Sequence, residues 1–279
     1  MSYGGTGAHA QSDALAATAA PIVGEIAAAR RASSLRWRLT FIAVWLAIII
    51  GVILILMAAD AWDWDFVFTS GPVIIREGVW VTVVLSVTSI FFASILALFG
   101  ALGRISTNAV LNGVASFYVS LIRGTPLLVQ IAIIYFALPQ VGIVLPAFVC
   151  GLIALSMNYG AYMTEIFRAG IQAVPRGQRE AARALGMPES KVFRRIVLPQ
   201  AFRIVTPAIG NEFIAMLKDS ALVSIISVHE TLFWAQRLGR SALEPMTALL
   251  IAAIVYWVLT IMFTFLQAWM ERRLARSDR

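Results

Sequence analysis

The side chains best suited to chemistry in this chain are a few charged and amide groups set inside long apolar stretches: Arg123, Asn158, Tyr162, Glu165, Glu212, Lys218 and Asp219. A charge at the centre of a bilayer costs about 2.5–3.5 kcal/mol on insertion scales, so each must meet a partner or a wet cavity. Helical spacing sorts them into stripes. One holds Thr82, Ser86, Ser89 and Ala93, the next Ser116, Ser120, Arg123 and Gln130, the third Asn158, Tyr162 and Glu165, and the last Asn211, Glu212, Ala215 and Asp219. Each set falls on one helix face, which in lipid points to the bundle interior.

The chemistry such groups offer is recognition rather than bond-making. Glu165 is the expected substrate contact, because a carboxylate on a stripe with an amide and a phenol accepts an ammonium group, while Arg123 or Lys218 attracts a carboxylate. Together they suit a zwitterion. Structural readings stand beside this one. Lys218 and Asp219 can neutralise each other in part, Arg123 and Glu212 can snorkel to an interface, and Thr82, Ser86 and Ser89 can simply let helices pack closely.

Catalysis and cofactor binding find no support. The hydroxyls on the stripes have no histidine in their own spans to activate them, and no HExxH pattern occurs. The single cysteine, Cys150, lies in an apolar run, and His9 and His229 have no second ligand at metal spacing. Neither lysine ends a Gly-rich phosphate loop, since Lys191 follows Ser190 and Lys218 follows Leu217. The chain is therefore expected to bind no metal or nucleotide of its own.

Sixty per cent of the 279 residues are hydrophobic and 13% are charged, too little polar surface to solvate a globule of this size. Apolar runs long enough to cross roughly 30 Å of hydrocarbon are expected at 40–59, 78–102, 112–137, 147–167, 205–227 and 246–269. Residues 1–39 read as a mobile tail, 40–59 as an uncleaved anchor and 271–279 as a basic end. Six crossings put both termini on one side. If that side is the cytoplasm, it holds 17 of the 22 Lys and Arg, while Asp60, Asp63, Asp65 and Glu77 lie opposite beside Trp62 and Trp64. Membrane orientation thus accounts for the net charge of +7, and nucleic acid binding is not expected.

Between two of the spans runs QREAARALGMPESKVFRRIVLP, Gln178 to Pro199. Pro175 and Gly177 open a short helix, Gly186 supplies the positive φ that ends it, and Pro188 suits the first turn of a second. The second helix sets Val192, Phe193, Ile196 and Val197 against Lys191, Arg194 and Arg195, an amphipathic pattern that fits headgroups or a protein groove equally.

This segment resembles the EAA loop of ABC importer permeases, with Glu180, Ala181, Ala182, Gly186, Ile196, Leu198 and Pro199 at the family's spacing. RGTPLLVQ from Arg123, NYGAYMTEIFRAGI from Asn158 and LKDSALVSI from Leu217 are similar to the polar amino-acid permease subfamily. One motif departs slightly, with Ser220 and Ala221 where the subfamily commonly has Thr and Ser. The resemblance implies an all-α membrane protein of about six transmembrane helices. An N-terminal anchor would precede a five-helix permease core at 78–270, with a cytoplasmic two-helix coupling loop at 175–200. It implies that Gln178, Glu180, Ala181, Ala182, Leu185 and Gly186 couple to a cytoplasmic ATPase that holds ATP and Mg. It implies a second permease subunit, identical or different, an extracytoplasmic solute-binding protein, and residence among the lipids of a bacterial plasma membrane. Asn158, Tyr162, Glu165, Arg123, Lys218 and Asp219 are the expected substrate path. A proton-coupled secondary transporter would also bury carboxylates, but it has no need of the coupling loop.

Overall fold

The computed structural model describes residues 35–55, 57 and 62–275. The expectations for the tail at 1–34, for Asp60, for His9 and for 276–279 lie outside these. Helix α1, Leu35–Ile55, starts earlier than the expected anchor and contains no buried residue. Trp37, Phe41 and Trp45 follow one another at i, i+4 along it, with ring centroids 5.3 and 6.0 Å apart. A helix apolar on every side is one that lipid solvates.

The second unit begins at Asp63, whose carboxylate accepts from the Phe66 N–H at 2.6 Å and so caps helix α2, Trp64–Ile105. This helix starts well before the expected residue 78. It passes Pro72, which supplies no N–H, and widens into a π turn at Ile74–Gly78 before continuing. Asn108 then caps α3, Ala109–Arg123, by accepting from Val110 and Leu111. The single span expected at 112–137 is instead two helices, α3 and α4, Leu127–Ala137, meeting at 102°. The cause is local: Gly124 ends the first helix, Pro126 lacks an N–H and forces Thr125 out of helical geometry, and the second helix starts after it.

Helix α5, Ala147–Ala173, is the central post. It packs on α2 through small residues, Ala93, Ala97 and Gly100 facing Ala154, Ala161 and Thr164, all buried. A Cβ on Gly100 would lie 2.3 Å from Thr164 Oγ1, so only glycine lets the axes approach this closely. The Thr82, Ser86, Ser89 stripe serves this packing. All three are fully buried, Thr82 and Thr231 hydroxyls lie 2.8 Å apart, and Ser156 donates to the Ser89 carbonyl at 3.3 Å.

The chain continues through α6, Arg176–Ala184, a one-turn helix α7, Glu189–Val192, and a π turn at Phe193–Val197 into α8, Leu198–Asp219. A 3-10 turn at Ser220–Ile226 follows, then α9, Thr231–Ser241, and α10, Pro245–Ala275. By length and composition α1, α2, α5 and α10 can each cross a membrane, and the α3–α4 pair counts as one more, bent crossing. Helix α8 has 22 residues but carries Arg203, Glu212, Lys218 and Asp219. Leu85, Ile131, Leu155, Met163 and Met216 form one buried cluster between α2, α4, α5 and α8. Ile74, Leu217, Ala248 and Ile251 form a second beside α9 and α10. Lipid tails are as apolar as these side chains, so close packing rather than transfer from water holds them together.

Candidate substrate cavity and coupling loop

Two irregular places in the helices and the middle of α5 meet around one cavity of about 610 Å³. The α3–α4 break contributes Arg123 through Leu127, α5 contributes Asn158, Tyr159 and Tyr162, and the last two turns of α8 contribute Glu212 and Asp219. Asn158 and Tyr162 are one turn apart on α5, and Glu212 and Asp219 two turns apart on α8, so each pair shares a face.

The Arg123 guanidinium stands 5.0 Å from the centroid of the Tyr162 ring, within cation–π range. It forms no ion pair among the described residues. Across the cavity the Tyr159 hydroxyl donates to Asp219 Oδ2 at 2.8 Å, which fixes the carboxylate, while Glu212 is half-buried and forms no ion pair among the described residues. One arginine and two carboxylates give the lining a formal charge of −1. Asn158 is 6% exposed and donates to Gln130 Oε1 at 3.1 Å.

Four of the expected substrate-path residues, Arg123, Asn158, Tyr162 and Asp219, are thus brought to one cavity, and two are not. Glu165 lies two helical turns from Asn158, roughly 10 Å along the axis, and is held by arginines instead. Its carboxylate meets Arg104 at 3.1 Å and Arg168 at 2.7 Å, and Arg104 in turn donates to Ser116 at 2.6 Å, so the group ties α2, α3 and α5 together. Lys218 is exposed, is not part of the cavity lining and forms no ion pair with Asp219. Tyr159 and Glu212 take their places in the wall. Glu212 carried a sequence signal as an intramembrane carboxylate. Tyr159 carried none, because it is next to Asn158 and hence off the polar stripe.

At the other end, α6 stands on Pro175 and is closed by a Schellman motif: Met187 N–H bonds to Ala182 O at 3.1 Å, Gly186 N–H to Arg183 O at 2.8 Å, and Gly186 takes φ = 77°. Ala182 is buried against Ile171, Val174, Val192 and Val197, and Arg179 donates to the Ile171 carbonyl, so the inner face of α6 is anchored. Gln178, Glu180, Ala181, Leu185 and Gly186 remain exposed, Leu185 at 82%. Arg183 pairs with Glu189 across the turn and holds that carboxyl below its ordinary range. Among the described residues no group of three His, Cys, Asp or Glu is placed to hold a metal.

The sequence pattern described as "Binding-protein-dependent transport system inner membrane component" matches residues 89–276. The L-cystine transport system permease protein TcyB of Bacillus subtilis (strain 168) is 42% identical over 222 residues, 79% of this chain and 95% of that protein. The arginine transport system permease protein ArtQ of the same organism is 40% identical over 73% of this chain and 94% of its own length. The crystal structure of an amino acid ABC transporter with histidines superposes with a TM-score of 0.71 at 41% identity, covering 76% of this chain and 98% of that one. An inward-facing MetNI methionine ABC transporter shares the fold, with a TM-score of 0.61 at 20% identity. The chain belongs to the family of binding-protein-dependent transport system inner membrane components, the permease subunits of ABC importers, in which ATP hydrolysis resides in partner subunits.

Proposed function

We propose that this permease carries a polar amino acid across a bacterial plasma membrane by alternating access through the Arg123–Asp219 cavity, and that it prefers cationic amino acids. Relatives named for cystine, arginine and glutamine transport support the amino-acid class. The observation that carries the preference is the charge balance of the lining. Arg123 pairs with the substrate carboxylate, Glu212 and Asp219 take up the α-ammonium and a cationic side chain, and the ring of Tyr162 holds Arg123 in place. A substrate of net charge +1 neutralises this lining, whereas a neutral zwitterion leaves one carboxylate unpaired.

The exposed face of α6, with Leu185 projecting at its end, docks in a cleft of the ATPase subunit, which holds ATP and Mg. A second permease subunit completes the pathway and a solute-binding protein delivers substrate from outside; with α8 as a sixth crossing beside the five that length and composition pick out, both termini lie in the cytoplasm. Closure of the ATPase pair then rocks the helix bundles between inward-open and outward-open states.

The test is direct binding to the purified permease–ATPase complex. Radiolabelled L-arginine is expected to bind more tightly than L-glutamine, and Asp219→Asn is expected to weaken arginine by about 10–100-fold, the worth of one charge-assisted hydrogen bond of about 1.5–3 kcal/mol. Equal affinity for the two ligands in both proteins would overturn the preference.

A further inference from the structure

Gln130 takes no part in the cavity lining, yet it holds the cationic corner of the cavity in place. It sits in the first turn of α4 at 8% exposure. Its side-chain nitrogen reaches back across the break, donating to the Ile122 carbonyl at 2.7 Å and to Thr125 Oγ1 at 2.8 Å, with the Thr125 carbonyl at 3.1 Å. Its side-chain oxygen accepts from Asn158 at 3.1 Å.

The need for this arrangement follows from the break. Helix α3 stops at Arg123: the Gly124 N–H still reaches the Ser120 carbonyl and the Thr125 hydroxyl the Leu121 carbonyl at 3.0 Å, but Pro126 has no N–H to offer, so the carbonyls of Ile122 and Arg123 lack helical donors. Inside a membrane no bulk water replaces them. Gln130 supplies the missing donor and, because a carboxamide also accepts, links the same point to α5. Arg123 is the next residue after Ile122, and the Tyr162 ring on which it rests lies one turn from Asn158. One amide therefore fixes the end of α3, the start of α4 and the face of α5 that carries the Arg123 platform.

We propose that Gln130 is a positioning residue that sets the Arg123 guanidinium in register to receive the substrate carboxylate. This rests on the cavity reading above, and the test separates the two. L-arginine and L-argininamide differ in the carboxylate, so the ratio of their affinities for the purified permease–ATPase complex in lipid nanodiscs reports the work of Arg123. The wild-type protein is expected to prefer arginine, and Arg123→Ala to abolish that preference. Gln130→Glu, which keeps the shape and the acceptor for Asn158 but loses the donor, and Gln130→Met, which loses both, are expected to lower the ratio by about tenfold. In both, argininamide affinity stays near wild type, which also shows that the cavity is folded. If Arg123→Ala keeps the preference, the cavity reading falls. If Arg123→Ala loses it while both Gln130 variants retain it, or lose both ligands equally, Gln130 is a structural residue only and the positioning role is refuted.

Discussion

Gly186 gives the sharpest perturbation of the proposed coupling loop, because within this chain a side chain there changes the backbone and touches nothing else. It ends α6 at φ = 77°, and a Cβ built on it would meet nothing within 4 Å. Substitution therefore costs backbone strain and no packing within the chain. An L-residue in this region costs roughly 1–2 kcal/mol, less for asparagine, which visits it readily, and more for a β-branched residue. That strain opposes the two Schellman bonds, Met187 to Ala182 and Gly186 to Arg183, at about 0.5–1.5 kcal/mol net each, so alanine brings the turn close to balance and valine tips it. Once the turn opens, Leu185 and the α6 face lose their fixed angle to the membrane helices. The expected order of transport per ATP hydrolysed is wild type, Gly186→Asn, Gly186→Ala, Gly186→Val. The assay measures substrate uptake and phosphate release together in proteoliposomes holding the permease and its ATPase. Equal coupling ratios for Asn, Ala and Val would refute the reasoning, since backbone strain at residue 186 would have proved irrelevant to the loop.

Two further outcomes bear on the bundle itself. Gly100→Ala forces a Cβ within 2.3 Å of the buried Thr164 hydroxyl, so a loss of about 1–3 kcal/mol is expected in the melting of the purified complex, and Thr164→Ala in the same chain is expected to restore most of it. Glu230, fully buried in the connection before α9, accepts from Leu232 and Phe233 N–H at 2.9 and 2.6 Å and from the Tyr256 hydroxyl. Burial pushes its carboxyl from 4.5 up to about 7, against the pull of those bonds. The folded chain then holds a proton that the unfolded chain has released, so this group's contribution to stability is greatest below the unfolded value and is lost as pH rises through about 7. The melting temperature is expected to fall between about pH 5 and about pH 8, and Glu230→Gln to flatten that slope. A slope unchanged in the variant would assign the effect to other groups.

Much of the local structure of the loop at 175–200 was legible because its rules are local. A glycine in position to adopt positive φ and a proline suited to a first turn mark the two helix limits within a few residues, and the structure places them there. The substrate stripe was legible only in part. A period of 3.6 residues says which face a side chain shares but not how deep it lies, so Glu165 joined Asn158 and Tyr162 on paper while the fold brings Arg104 from α2 to meet it. That partner is 61 residues away in sequence, and no local pattern announces it. Hydropathy likewise passed over the break inside 112–137, where Gly124-Thr125-Pro126 was the only signal amid apolar residues on both sides.

Two of the places where regular helix fails border the cavity, and the physics of lipid explains why. A backbone group that loses its helical partner within the hydrocarbon costs several kcal/mol unless protein or a wet cavity satisfies it. The α3–α4 break and the end of α8, where the helix tightens into the Ser220–Ile226 3-10 turn, are such sites, and both border the same space. The first is satisfied by Gln130, the second in part by Ser220, which returns a hydrogen bond to the Leu217 carbonyl at 2.8 Å. Broken backbone and the polar stripes of α5 and α8 therefore point to the same cavity, the breaks from the backbone and the stripes from the side chains. In this chain the stripe residues away from the cavity, Thr82, Ser86, Ser89 and Glu165, hold helices together, whereas Asn158, Tyr162 and Glu212 within helices and Arg123 and Asp219 at helix ends face it.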